Sequence, residues 1–286
     1  MPYDSVELIY NHLKLSGGIG ITIKKSFYLT GRGYLFMGGY NSGDFGLKGS
    51  VNQYLGNVHK NYGELVFGVE LISKMPWWFY QQWNSNRFRW KNRFDKENYL
   101  ILSGKYAYKN INAGVTFTTV GNYTYLNDSV KPAQIDNAET VLQIFAGGQI
   151  PVGKFGIDTR LVYQSTSRPN IIRLPTFSGT LNVFFRSPVF KKAATVQIGV
   201  QMRYFSNFYA NAYMPELRAF YLQNEVSVGN FLWADVYLTL KVKRARLFVK
   251  MANATGYFEG YSYWVAPHYP DRDARFDMGI SWRFHD

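Results

Sequence analysis

From Arg275 to Phe284 the chain alternates with a strict period of two. Phe276, Met278, Ile280, Trp282 and Phe284 are large and apolar, while Asp277, Gly279, Ser281 and Arg283 are polar or small. Successive side chains of a strand point to opposite faces, so this segment is a β-strand with one oily and one wet side. Such a strand fits either a half-buried strand of a soluble sandwich or the closing strand of a membrane barrel. An amphipathic C-terminal strand ending on an aromatic is also what outer-membrane insertion machinery takes up.

The same alternation recurs along the chain and settles the choice. Val196, Ile198, Val200 and Met202 oppose Gln197, Gly199, Gln201 and Arg203. Val236, Leu238, Leu240 and Val242 oppose Asp235, Tyr237, Thr239, Lys241 and Lys243, and Ala245, Leu247, Val249 and Met251 oppose Arg246, Phe248 and Lys250. Ile157, Leu161 and Tyr163 oppose Asp158, Arg160 and Gln164. In the first half, Ile19, Ile21 and Ile23, and Leu65, Phe67, Val69 and Leu71, follow the same rule. Single charges inside a soluble sandwich cost several kcal/mol each unless paired. A water-filled lumen removes that cost. The expected fold is therefore all-β: one transmembrane antiparallel up-and-down β-barrel domain spanning residues 1–286, with about 14–16 strands of ten or so residues.

Composition agrees. Aromatic residues make up 18% of the chain, yet mean hydropathy is only −0.23. No run of about 18 apolar residues exists, which excludes a transmembrane helix. Aromatics gather at the two water interfaces of a membrane barrel, and only every second strand residue meets lipid. There is no cysteine, which excludes thiolate metal sites and cysteine nucleophiles. Residues 1–4 show no basic n-region or apolar h-region, so the chain reads as a mature or truncated form that starts inside the fold. A strand is expected from Ser5 to Leu13.

The net charge of +13 suits a solvated surface, a nucleic-acid binder, or a pore and rim that attract anions. Nucleic-acid binders cluster their charge on a helix or a polar tract. Here the basic residues stand singly at alternate strand positions, which favours a lumen or rim and argues against nucleic acid. The candidate pore-lining or rim residues are Arg87, Arg89, Lys91, Arg93, Arg160, Arg203, Lys241, Lys243, Arg246 and Lys250.

Pro76–Asn84 is densely aromatic and reads as an interfacial girdle, a folded loop, or a sugar-stacking platform; helical periodicity is absent except at Met75–Trp83. Directly after it, Arg87, Arg89, Lys91 and Arg93 share one side of a strand-like run and Phe88, Trp90 and Phe94 the other. Enzyme signals are poor. His12, His59, His268 and His285 make no HExxH or paired metal spacing. His268, between Pro267 and Pro270, reads as a turn residue. Gly17-Gly18-Ile19-Gly20 precedes no helix and is not a phosphate loop. No cofactor or metal is expected. A lipolytic barrel would need a serine and a histidine on neighbouring strands.

These residues carry a resemblance. Asn86-Arg87-Phe88-Arg89-Trp90-Lys91-Asn92-Arg93-Phe94 resembles the Asn-x-Phe-x-Trp-x-Asn-x-Phe signature of the large family of putative porins of Bacteroidetes outer membranes. Leu174–Ser178, Tyr204–Pro215 and Phe220-Tyr221-Leu222-Gln223 resemble further family segments. So do Ala245–Lys250, His268-Tyr269-Pro270 and the closing strand. The resemblance implies an outer-membrane β-barrel acting as a porin, and brings neither a substrate nor a chemical role for the signature. Its expected partners are outer-membrane lipid, lipopolysaccharide and the assembly machinery. The alternative to an open channel is a barrel plugged by its own loops that serves, with partner subunits, in a larger surface assembly.

Overall fold

The computed structural model describes residues 11–23, 26–56, 61–258 and 263–284. Thirteen strands form one antiparallel sheet in chain order. They are β1 (Lys14–Ile23), β2 (Phe27–Phe36), β3 (Phe45–Gly56), β4 (Asn61–Lys74), β5 (Glu97–Tyr108), β6 (Ile111–Gly121) and β7 (Glu139–Val152). Then come β8 (Phe155–Thr166), β9 (Phe177–Val189), β10 (Ala194–Phe205), β11 (Leu232–Val242), β12 (Ala245–Ala252) and β13 (Arg275–Trp282). The contacts cluster into two compact units, Met1–Lys105 with Thr116–Val141, and Tyr106–Val115 with Leu142–Asp286; the division falls within β5, β6 and β7.

The all-β expectation is met, and two parts of it are corrected. Among the described residues the sheet has thirteen strands against the expected 14–16, and β1 and β13 are unpaired edges, so it is not closed into a barrel. The count falls short for two reasons. Residues 5–10 of the expected first strand lie outside the described residues, and 11–13 are not strand. Parts of the long excursions fold into separate short hairpins off the sheet: Gln82–Asn84 with Arg89–Lys91, Thr124–Leu126 with Pro132–Gln134, Ala212–Met214 with Ala219–Tyr221, and Trp264–Ala266 with Tyr269–Pro270.

The connections alternate between short and long. Two to four residues join β5 to β6, β7 to β8, β9 to β10 and β11 to β12, whereas residues 75–96, 122–138, 206–231 and 253–274 form long excursions. Neighbouring strands are antiparallel, so within each unit the short turns share one end and the long loops the other.

Sidedness follows the register. Phe185, Ile198, Leu238, Val249 and Met278 stand in one row across β9–β13. On the first unit Leu29, Val51 and Phe67 do the same across β2–β4. Most of these side chains are exposed, with Ile198 at 47%, Leu238 at 42%, Phe67 at 55% and Met278 at 73%, while Phe185 and Val51 are half-buried. Buried apolar residues sit mostly in the long loops, with Phe79, Leu126, Val130 and Ile135 in one unit and Leu217, Leu222, Phe231 and Tyr263 in the other. An exposed apolar face this extensive does not belong in water. No helix of the described residues is long and apolar enough to cross a membrane.

Candidate functional site

The wet face of the second unit is built by the residues that alternate with those oily rows. Asp158, Asn182, Gln201 and Asp235 form one row across β8–β11. Arg160, Thr180, Arg203 and Trp233 form the next. Toward the short turns come Arg186, Gln197, Thr239 and Phe248, then Thr195, Lys241, Arg246 and Ser281. A cavity of about 710 Å³ opens over this face.

Its side chains hold one another in place. The Tyr237 hydroxyl donates to Asn182 Oδ1 at 3.0 Å and accepts from Gln197 Nε2 at 2.9 Å. Arg186 donates twice to Gln197 Oε1, at 3.0 and 2.9 Å. Lys250 pairs with Asp235 at 3.0 Å. Three guanidinium groups lie over rings: Arg160 over Phe145 at 5.3 Å, Arg186 over Phe184 at 5.0 Å and Arg203 over Trp233 at 5.8 Å. A cation over a π-face is fixed without losing its charge. Gly199 makes room for two of the rings, since a Cβ there would stand 2.6 Å from the Tyr237 oxygen and 2.8 Å from Phe184 Cβ. The face can therefore offer ordered positive charge and neutral hydrogen-bonding groups to a solute.

The wet face of the first unit is more balanced. Arg32, Lys48 and Glu70 share a row, and Lys48 pairs with Glu70 at 2.9 Å. Asn52 donates to Glu64 Oε1 at 2.9 Å, and the Thr30 and Ser50 hydroxyls are 2.7 Å apart. Lys14 lies over the Tyr34 ring at 4.5 Å.

The aromatic segment is a folded loop. A helical turn, α1 (Trp78–Gln81), leads into the Gln82–Asn84 and Arg89–Lys91 hairpin. The Asn-x-Phe-x-Trp-x-Asn-x-Phe residues clamp it. The Trp90 indole donates to the Phe79 carbonyl at 2.7 Å, with the two rings 5.1 Å apart. The Asn92 side-chain amide donates to the Tyr80 carbonyl at 2.8 Å. Gln81 accepts from Phe94 N–H at 2.8 Å and donates to its carbonyl at 2.9 Å. Arg87, Arg89, Lys91 and Arg93 are all exposed on the other side of this excursion, outside the thirteen-stranded sheet. Gln223 of the Phe-x-x-Gln segment has a similar knotting role, donating to the Ala210 and Val226 carbonyls and accepting the Glu225 and Val226 N–H groups.

Buried carboxylates at Asp44 and Glu97 went unread in the sequence. Asp44, legible only as the end of a turn, is 2% exposed; it accepts Met75 N–H at 2.9 Å and the Asn41 amide at 2.7 Å, and pairs with Lys96 at 3.0 Å. Glu97 accepts Thr124 N–H at 2.9 Å and pairs with Lys74 at 3.6 Å. Together they tie the loops of the first unit to its strands. Burial, followed by Tyr123 and Glu97, pushes the Tyr80 phenol up to about 12. Burial also raises Tyr123.

Of the other expected site residues, Arg160, Arg203, Lys241, Arg246 and Lys250 lie on the wet face of the second unit, and Lys243 stands in the β11–β12 turn. Phe276, Met278, Ile280 and Trp282 share the oily face of β13, and Phe284 follows that strand. His268 occupies a turn at φ 67°; His59 and His285 lie outside the described residues. Among the described residues no group of three or more His, Cys, Asp or Glu is placed to hold a metal ion.

A family model described as "Putative porin" matches residues 5–286. No curated protein matches the chain at a significant level.

Proposed function

The chain belongs to this putative porin family, and from that membership we propose that it forms an outer-membrane β-barrel channel for small hydrophilic solutes, with a preference for anions. The observation that carries this reading is the sidedness of the sheet. Apolar side chains are exposed on one face of the strands while the other face bears ordered charge. On the second unit Arg160, Arg186, Arg203, Lys241, Arg246, Lys250 and Arg275 outnumber Asp158, Asp235 and Asp277, which raises the local anion concentration in a water-filled lumen. The short turns then face the periplasm and the long loops the cell exterior, as in barrels of this kind. Lipid and lipopolysaccharide surround the oily face, the insertion machinery takes up the β13 segment, and the chain carries out no catalysis; fluorophosphonate labelling of a serine would overturn that last point.

The test is planar-bilayer conductance of the purified chain in a salt gradient. A reversal potential of anion-selective sign supports the reading. Cation selectivity overturns the preference, and absence of conductance overturns the channel. A second reading, a loop-filled barrel serving as a subunit of a larger assembly, draws on the buried apolar residues of the long loops, with Phe231 and Tyr263 from two of them packed against Trp233 of β11. Silent bilayers with a correctly folded chain would favour it.

A further inference from the structure

A second, smaller cavity lies at the short-turn end of the second unit. It measures about 270 Å³ and is lined by Lys241, Lys243, Arg244, Arg246, Ser281 and Arg283, with Ala245 between them. No carboxylate lines it among the described residues. Register explains the convergence. Lys241, Arg246 and Ser281 stand directly opposite one another on β11, β12 and β13. Arg283, two residues beyond Ser281, is held by its N–H to the Arg244 carbonyl at 3.2 Å. Lys243 and Arg244 are the two residues of the turn that joins β11 to β12.

This cluster differs from a solvated basic rim in its charge: like charges brought together repel, and a rim that needed only solubility would intersperse acids.

From this geometry we infer that the cavity is a binding site for a phosphate-bearing anion. The guanidinium groups of Arg246 and Arg283 and the ammonium groups of Lys241 and Lys243 supply more charge-assisted donors than a chloride can use, and guanidinium matches the spacing of phosphate oxygens. Lys241 and Arg246 also line the 710 Å³ cavity, so an anion seated here has Gln197, Tyr237 and Thr239 beside it to receive a hydroxylated body. The lining strand residues belong to the wet face, which favours a free phosphorylated solute over a lipid headgroup as the source. The inference deepens the anion preference proposed above and rests on that reading of the wet face. Its test needs no conductance, so the two fail separately.

The experiment is protection of lysines from acetylation in the full chain, purified in an uncharged, phosphate-free maltoside detergent and read by peptide mass spectrometry. Sodium phosphate is compared with sodium chloride at equal ionic strength, and in a third arm the protein sits in phosphatidylcholine nanodiscs with or without phosphatidylglycerol. Phosphate should slow modification of Lys243 roughly fivefold or more at saturating concentration. Lys191 and Lys192 in the β9–β10 turn, which do not line the cavity, should react at an unchanged rate. In R246Q and R283Q the protection of Lys243 should be lost. Protection by free phosphate supports a solute site, and protection only with phosphatidylglycerol supports the same chemistry with lipid as its source. Equal protection of Lys191 and Lys192, or protection by neither, overturns the inference; the wild-type comparison decides even where a variant does not fold.

Discussion

The strands and the long loops use the same kinds of residue in opposite ways. Leu238 and Ile198, in mid-strand, are 42% and 47% exposed, whereas Leu126 and Phe231, in loops, are 1% and 2% exposed. Full burial of such a side chain is worth roughly 1.5–3 kcal/mol in water. Burying loop residues and leaving strand residues bare is the pattern expected of a chain that meets two different solvents. In the proposed barrel the loops meet water and bury apolar side chains of their own, while the oily side of the strands meets lipid. The wet face completes the contrast, since its arginines are stacked on rings and its lysine–aspartate pair is open to water rather than sealed in a core.

The sharpest way to break this comparison is to remove a loop anchor. Phe79 is 3% exposed and touches Trp77, Trp83 and Trp90. Phe79→Ala should cost the loop about 3–5 kcal/mol of local stability. Trypsin should then cut at Arg87, Arg89 and Lys91 while the strand signal in circular dichroism is kept. Loss of both together would mean that loop and sheet share one core.

Next in size is a charge on the oily face. Leu238→Lys should destabilise the protein by about 2–4 kcal/mol in lipid vesicles, as a lysine does at the midplane of a membrane barrel. The paired control is Thr239→Lys on the wet face, where little change is expected in the same denaturant titration. If both behave alike, the two faces do not see different solvents. A smaller effect tests the packing within the wet face. Gly199→Ala places a methyl group against Tyr237 and Phe184 and should cost about 1–3 kcal/mol as the rings move. The rows of nitrogen and oxygen around Tyr237 should loosen with it, visible as faster hydrogen exchange on β10 and β11.

The sequence announces the faces better than it announces the loops, and the reason is range. Gln197, Gly199, Gln201 and Arg203 alternate with oily neighbours over a whole strand, so local pattern alone assigns their side. Arg87, Arg89, Lys91 and Arg93 alternate just as cleanly, yet only Arg89–Lys91 forms a strand, and it pairs with Gln82–Asn84 instead of joining the sheet. Period two cannot separate a three-residue hairpin from a wall strand. What separates them is the clamp of Trp90 on Phe79 and Asn92 on Tyr80, which depends on residues ten or more positions away. Asp44 and Glu97 escaped for the same reason: their partners Met75, Lys96 and Thr124 are brought to them only by the fold. The strand count came from chain length, and the long excursions take up chain in short hairpins of their own.

The gentlest probe of the loop side is pH. The Tyr80 phenol is raised from 10 to about 12, first by burial and then by Tyr123 and Glu97. A phenol whose folded value lies above its unfolded value adds stability that is complete below pH 10, where both states are protonated. That stability is lost as pH rises from about 10 toward 12, because only the open loop can ionise easily there. Raising pH through this window should therefore release the aromatic loop while leaving the strands in place. The phenol keeps some contact with water, so the effect is small and local. Absorbance of tyrosinate, compared between wild type and Tyr80→Phe, isolates the one residue, and tryptic cutting at Arg89 reports the loop. Opening at pH 10 or below in wild type, or an unchanged opening pH in Tyr80→Phe, would separate the phenol from the loop's stability and leave the Trp90 and Asn92 clamp to hold it alone.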